Sequence, residues 1–80
     1  MDKEEMLKKI NDIFIDTLDN EDIVLRYATT ANDVEDWDSL NHIQLVVAVE
    51  KQFAIRFASQ EILSWNNVGE MIDCIIKKKG

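Results

Sequence analysis

An all-α fold, a small four-helix bundle, follows from three observations on the 80-residue chain. There is no proline and there are only two glycines, so the chain lacks the punctuation that short strands and tight turns need. Hydrophobic residues make up 46% against 31% charged, which places the sequence among folded chains rather than disordered ones. Apolar residues recur at helical spacing in three separate stretches. The length is that of one domain with one modest core, so residues 1–80 are read as a single unit. The expected tally is three longer helices, one short one, and a long loop between the first and second.

The first helix is expected over residues 3 to 17. Met6, Ile10, Ile13, Phe14 and Thr17 share one face, with Lys3, Glu4, Lys8, Lys9, Asp12 and Asp16 mostly between them. Asp2, Glu4 and Glu5 stand where the helix dipole favours negative charge. From Leu18 to Asp38 the period is lost. Asp19-Asn20-Glu21-Asp22, Thr29-Thr30 and Asn32-Asp33 are turn and cap residues, and Ile23, Val24, Leu25 and Tyr27 supply an apolar anchor. A loop of about 20 residues is unusual in so small a domain and is more often functional than idle.

Ser39 opens the second helix. Leu45, Val49 and Phe53 form its inward line with Val46 beside them, and it ends around Gln52 to Ala54. Leu40, Ile43 and Val47 form a second apolar line, turned partly away, which is either more deeply buried or meets a partner. Phe57 returns to the core. Ala58 to Leu63 reads as a short helical segment capped by Ser59. After Trp65-Asn66-Asn67 an Asn caps a last helix carrying Val68, Met71, Ile72, Ile75 and Ile76 and ending in Lys77-Lys78-Lys79, cations that suit a helix C-terminus.

The formal net charge of −7 argues against nucleic acid and anionic lipid as partners and for basic protein surfaces. Residues 1 to 38 hold twelve of the sixteen carboxylates. The single cysteine, Cys74, allows no internal disulfide and no cysteine-based metal site, and reads as a small buried apolar residue. No stretch approaches the ~20 apolar residues of a membrane span, and the acidic N-terminus is unlike a signal peptide. A cytoplasmic monomer is expected.

The chemistry centres on Asp36-Trp37-Asp38-Ser39-Leu40. Taken alone, Ser39 is a helix N-cap. Ser39 and His42 are three residues apart, but a nucleophilic serine also needs an oriented base and an oxyanion hole; with one histidine and no G-x-S-x-G elbow a hydrolase is disfavoured, and His42 reads as a solvated helix residue. The carboxylates Asp33, Glu35, Asp36 and Asp38 do not follow calcium-loop spacing, since a loop from Asp33 would put Asp38 and Gln44 where Gly and Glu belong.

Asp38-Ser39-Leu40 resembles the D-S-L signature of acyl carrier proteins. The likeness extends through the apolar helix ending E-K-Q-F, then I-R-F, the short S-Q-E-I segment, and N-V-G-E-M-I-D-C-I, and so spans essentially the whole chain. It implies a carrier, not an enzyme, with 4′-phosphopantetheine from coenzyme A joined to the Ser39 hydroxyl. A phosphopantetheinyl transferase would attach the arm, and acyl-loading and acyl-transferring enzymes would be the other partners. Asp38 matches the aspartate that engages the transferase. Trp37 stands where small residues are common, either anchoring the loop or lying beside the arm. Leu40 and Ile43 match partner-contacting positions, and Asn41, Gln44 and Val47 fall on the same face. Asn41 and Gln44 replace the acidic residues typical of fatty-acid-synthesis carriers. From Ser39 to Phe53 only Glu50 and Lys51 are ionised, so the docking face is nearly neutral. The expectation is a specialised carrier, for envelope lipid, lipopolysaccharide, polyketide-type or aminoacyl chemistry. The competing reading is an acidic helical interaction module in which Ser39 only caps a helix.

Overall fold

The computed structural model describes residues 2–79, with the side chain of Ser39 outside the described set. Four helices follow in order: α1 (Lys3–Leu18), α2 (Ser39–Phe53), α3 (Ser59–Ser64) and α4 (Val68–Lys79). All regular structure among the described residues is helical.

Each helix has a local reason to begin where it does. Asp2 caps α1, its Oδ1 accepting the Glu4 N–H at 3.1 Å. Asn67 Oδ1 accepts the Glu70 N–H at 2.9 Å, so an Asn does cap α4, and Glu70 returns a carboxylate oxygen to the Asn66 N–H at 2.8 Å. The cap of α2 differs from the expectation. Asp38 is the N-cap, its Oδ1 accepting the Asn41 N–H at 2.8 Å, and Ser39 is the first helical residue. The cap of α3 differs too. Ala58 holds the cap position, where it has no side-chain acceptor to offer, and Glu61 Oε1 accepts the Ala58 N–H at 2.8 Å instead of Ser59 capping the helix. A helix can recover one end from its third residue when the cap side chain has no acceptor.

The core lies between α1, α2 and α4. Met6, Ile10 and Phe14 of α1 meet Leu45, Val49 and Phe53 of α2 and Val68, Met71, Ile72 and Ile75 of α4, all buried. These are the lines that the helical period selects, because a face repeating every three to four residues can be wholly withdrawn from water. At the far end of α2, Ala54 adopts the left-handed conformation at φ 55°, and Lys79 Nζ donates to Phe53 O at 3.1 Å.

The long loop is tied down along its length. Asn11 Oδ1 accepts the Leu25 N–H at 2.6 Å and its Nδ2 donates to Ile23 O at 3.1 Å. This clamp buries Ile23 and Leu25 and leaves Val24 out in solvent. Farther on, Thr29 O accepts the Val68 N–H at 2.9 Å and Tyr27 O accepts the Gly69 N–H at 2.7 Å. So Tyr27 anchors through its carbonyl while its side chain stays partly exposed. Gly69 is required for that approach, since a Cβ there would stand 2.9 Å from Tyr27 O. Trp37 closes the loop, buried with its ring edge-on to Phe14 at 4.9 Å.

Candidate functional site

The site is the corner where the loop turns into α2. Asp38 has extended backbone, φ −108° and ψ −176°, and the helix begins at the next residue. Its carboxylate takes the Asn41 N–H, its carbonyl takes the His42 N–H at 2.8 Å, and Asn41 Nδ2 donates back to Asp36 O at 2.7 Å. These three bonds hold the corner. The dipole of a helix start favours an anion such as a phosphodiester.

Past the corner, α2 turns one apolar line outward. Leu40 is 71% exposed, Ile43 54% and Val47 42%, whereas Leu45 and Val49 on the other face are sealed. Asn41 and Gln44 lie between the outward apolar residues, partly buried and exposed respectively. Across from this face, α3 presents Leu63, 83% exposed. Between the two helices lies a groove of about 560 Å³, lined in part by Trp37, Asp38, Ile43, Ile62, Leu63 and Trp65. Trp65 stands between the core and the groove. Its ring is half-buried, edge-on to Phe57 at 4.8 Å on one side and open to the groove on the other.

His42 also departs from the reading as a solvated residue. Trp37 Nε1–H donates to His42 Nδ1 at 2.9 Å, the two rings stack at 5.9 Å, and Nε2 lies 3.4 Å from Ile62 O. The Nδ1 lone pair is thus taken by the indole N–H. Nothing in the helical period marks this contact, because Trp37 and His42 belong to different local structures. The one available signal was a donor-only indole five residues from the sole histidine.

Behind α3 a polar cluster replaces the buried cysteine expected from spacing. Cys74 is half-buried and its Sγ donates to Glu61 Oε2 at 3.5 Å. Glu61 Oε1 pairs with Lys78 Nζ at 2.8 Å, and Lys78 lies 5.7 Å from the Phe57 ring centroid. The Ala58 N–H, and then Lys78, hold the Glu61 carboxyl below its usual range. Glu61 in turn raises the Lys78 ammonium. Burial, with Glu61 behind it, pushes the Cys74 thiol up, so it stays protonated near neutrality. Among the described residues no group of three or more His, Cys, Asp or Glu is arranged to hold a metal ion, and no helix is long and apolar enough to cross a membrane.

The family model for the phosphopantetheine attachment site matches residues 8–75. An acyl carrier protein of Petrotoga mobilis is 30% identical over 79 residues, covering 98% of this chain and 92% of its own length. The chain belongs to the acyl carrier protein family. Its fold agrees with a solution structure of a holo acyl carrier protein from Geobacter metallireducens, at a TM-score of 0.84 and 40% identity, covering 90% of this chain and 83% of that one. The molecule is thus an acyl carrier, a bearer of intermediates rather than a catalyst, and its cofactor is covalent 4′-phosphopantetheine. The arm supplies a thiol on which acyl groups ride as thioesters. This chain's residues fit such a group: a capped, solvent-facing helix start suits the phosphodiester, and the carrier's apolar groove lies directly beside it.

Proposed function

We propose that Ser39 is the residue that bears the arm, through a phosphodiester on its hydroxyl. The observation that carries this reading is the place of the serine at the corner. Ser39 is the first residue of α2, directly after the capping Asp38 and inside the stretch matched to the attachment-site family. The competing interaction module had Ser39 in the cap position of α2, which Asp38 occupies. Asp38, exposed and rigid, is the residue that engages the phosphopantetheinyl transferase. Trp37 backs the arm from the groove wall.

Leu40, Asn41, Ile43, Gln44 and Val47 form the face that meets acyl-loading and acyl-transferring enzymes. Their exposure supports this. The face has no ionised side chain before Glu50, and Glu50 turns to the Phe57 N–H at 2.8 Å near the far end of α2. Docking by shape and apolar area rather than by a row of carboxylates favours specialised partners, those of envelope-lipid, lipopolysaccharide, polyketide-type or aminoacyl chemistry, over bulk fatty-acid elongation. We place the carrier in the cytoplasm as a monomer, with residues 1–80 one unit.

The decisive experiment is intact mass before and after incubation with coenzyme A, magnesium and a broad-specificity transferase. The wild-type chain gains one phosphopantetheine, and Ser39→Ala stays folded and gains none. A folded wild-type chain that gains no mass would sink the assignment. The docking reading is checked separately. Transfer to the cognate enzyme keeps its rate within about threefold between low and physiological salt, whereas a steered pair loses more.

A further inference from the structure

The groove beside the attachment corner stops short of the core. Among the described residues its lining comes from the long loop, α2, α3 and the turn before α4, and none of it from α1 or α4. A run of rings stands between groove and core. Trp37 faces His42 at 5.9 Å between centroids and His42 faces Trp65 at 6.1 Å, and these three rings line the groove. Behind them, Phe14 backs Trp37 at 4.9 Å and Phe57 backs Trp65 at 4.8 Å, both edge-on. The panel is pinned at one point, where Trp37 Nε1–H donates to His42 Nδ1 at 2.9 Å. Phe14 belongs to the same buried cluster as Leu45, Met71 and Ile72, all withdrawn from water completely.

We propose that the indoles of Trp37 and Trp65 wall the groove off from the core, so that this carrier holds a short acyl group on the outer face of the wall rather than a long alkyl chain inside the bundle. The arm begins beside the groove, since Asp38, directly before Ser39, is one of the lining residues. The indoles offer a broad apolar surface on which a few carbons can lie. The remainder of the lining does not suit a long tail. Asp38 and Asn66 are exposed there and stay in water. A tail gains only from the apolar area it withdraws from water, and a groove bordered by such groups withdraws little beyond the first carbons.

A long tail reaches the core only by displacing a ring. Moving Trp37 breaks its bond to His42 and uncovers Phe14. Trp65 is the less buried of the two indoles, so its removal opens the wall with less damage to the fold. Trp65 is therefore a specificity-determining residue: it acts by exclusion, on the length of the cargo and not on its attachment. The cargo reading rests on Ser39 bearing the arm; the wall does not.

The test is methyl-resolved NMR on the full chain, loaded in one step by the transferase from butyryl- or dodecanoyl-coenzyme A, with intact mass confirming a single adduct. In the wild-type chain both acyl groups move the methyls of Ile43, Ile62 and Leu63, and both leave those of Ile10, Met71 and Ile72 still. The terminal methyl of the dodecanoyl chain keeps a solvent-like signal. In Trp65→Ala that methyl gains cross-peaks to Met71 or Ile72, while the butyryl form behaves as in the wild type. Trp65→Phe keeps the tail out. A merely structural Trp65 would lower the stability of both acyl forms alike and would not make the response depend on chain length. A dodecanoyl tail that reaches the core methyls in the wild type, or that stays out in Trp65→Ala, would overturn the proposal. Should Trp65→Ala fail to fold, the wild-type spectra alone decide whether the tail enters. If no mass is gained, the carrier reading fails, and benzene added to the arm-free chain decides the wall. Core methyls that stay still in the wild type and move in Trp65→Ala support it; core methyls that move in the wild type overturn it.

Discussion

The bundle of α1, α2 and α4 and the short helix α3 are held by different physics. In the bundle, Ile10, Phe14, Leu45, Met71 and Ile72 are withdrawn from water completely, and each such side chain contributes about 1.5–3 kcal/mol through burial. In α3 no residue is buried, and Leu63 stands almost free in solvent. That helix is placed by the Glu61–Lys78 pair, the Cys74 contact, the His42 link and the half-buried rings of Phe57 and Trp65. The difference teaches where this carrier can yield. The attachment corner sits on the seam, with one wall of its groove on the rigid α2 and the other on the weakly held α3.

Substitutions can break that contrast, beginning with the largest effect. Leu45→Ala empties a sealed site and costs about 2–5 kcal/mol in chemical denaturation. Leu63→Ala, the same chemistry on α3, stays within about 0.5 kcal/mol. Equal losses at both positions would erase the distinction. Gly69→Ala comes next. Its Cβ meets a backbone carbonyl, which cannot rotate away, so the loop must move off α4 at a cost of about 1–3 kcal/mol by thermal melting.

The subtlest test concerns the polar latch on α3, and its sign follows from the charges. Glu61 titrates below its usual range in the folded chain, so its support is present above that range and is lost as pH falls through the lowered value. Lys78 titrates above its usual range, so its support is present below that range and is lost as pH rises through the raised value. The latch is therefore intact across neutrality. Amide exchange in α3, corrected for its intrinsic rate, should rise at the acid end while α1 and α4 hold. Glu61→Gln should remove that acid step, and it should also speed alkylation of Cys74 at neutral pH by a few-fold, because a carboxylate no longer opposes the thiolate. An unchanged acid response in the variant would assign the softness of α3 to something else.

Much of this arrangement was legible in the order of residues. The periods of α1, α2 and α4 select the sealed faces, since a repeat of 3.6 is a local property and burial follows it. The outward line Leu40, Ile43 and Val47 could be drawn in the same way, though not decided between core and surface. The D-S-L signature marked Ser39. The readings that failed share a cause. Ser39 and Ser59 were each given a cap that a neighbour supplies, Asp38 in one case and Glu61 from within the helix in the other. His42 and Cys74 were each assigned from their own helix, and each turned out to face another element.

The sequence by itself determined the class of fold, the inward faces, the acidic charge with its neutral stretch along α2, and the serine on which the family signature falls. These are local or compositional properties, and they survive without knowledge of how the helices meet. Only the tertiary structure decided which apolar line is exposed, that Asn11 and Gly69 bring the long loop onto α1 and α4, and that His42 spans from Trp37 to Ile62. Such contacts join residues whose separation along the chain carries no period. They form because closing the core brings a donor and an acceptor within reach, and a buried polar group left without its partner costs more than the bond itself contributes.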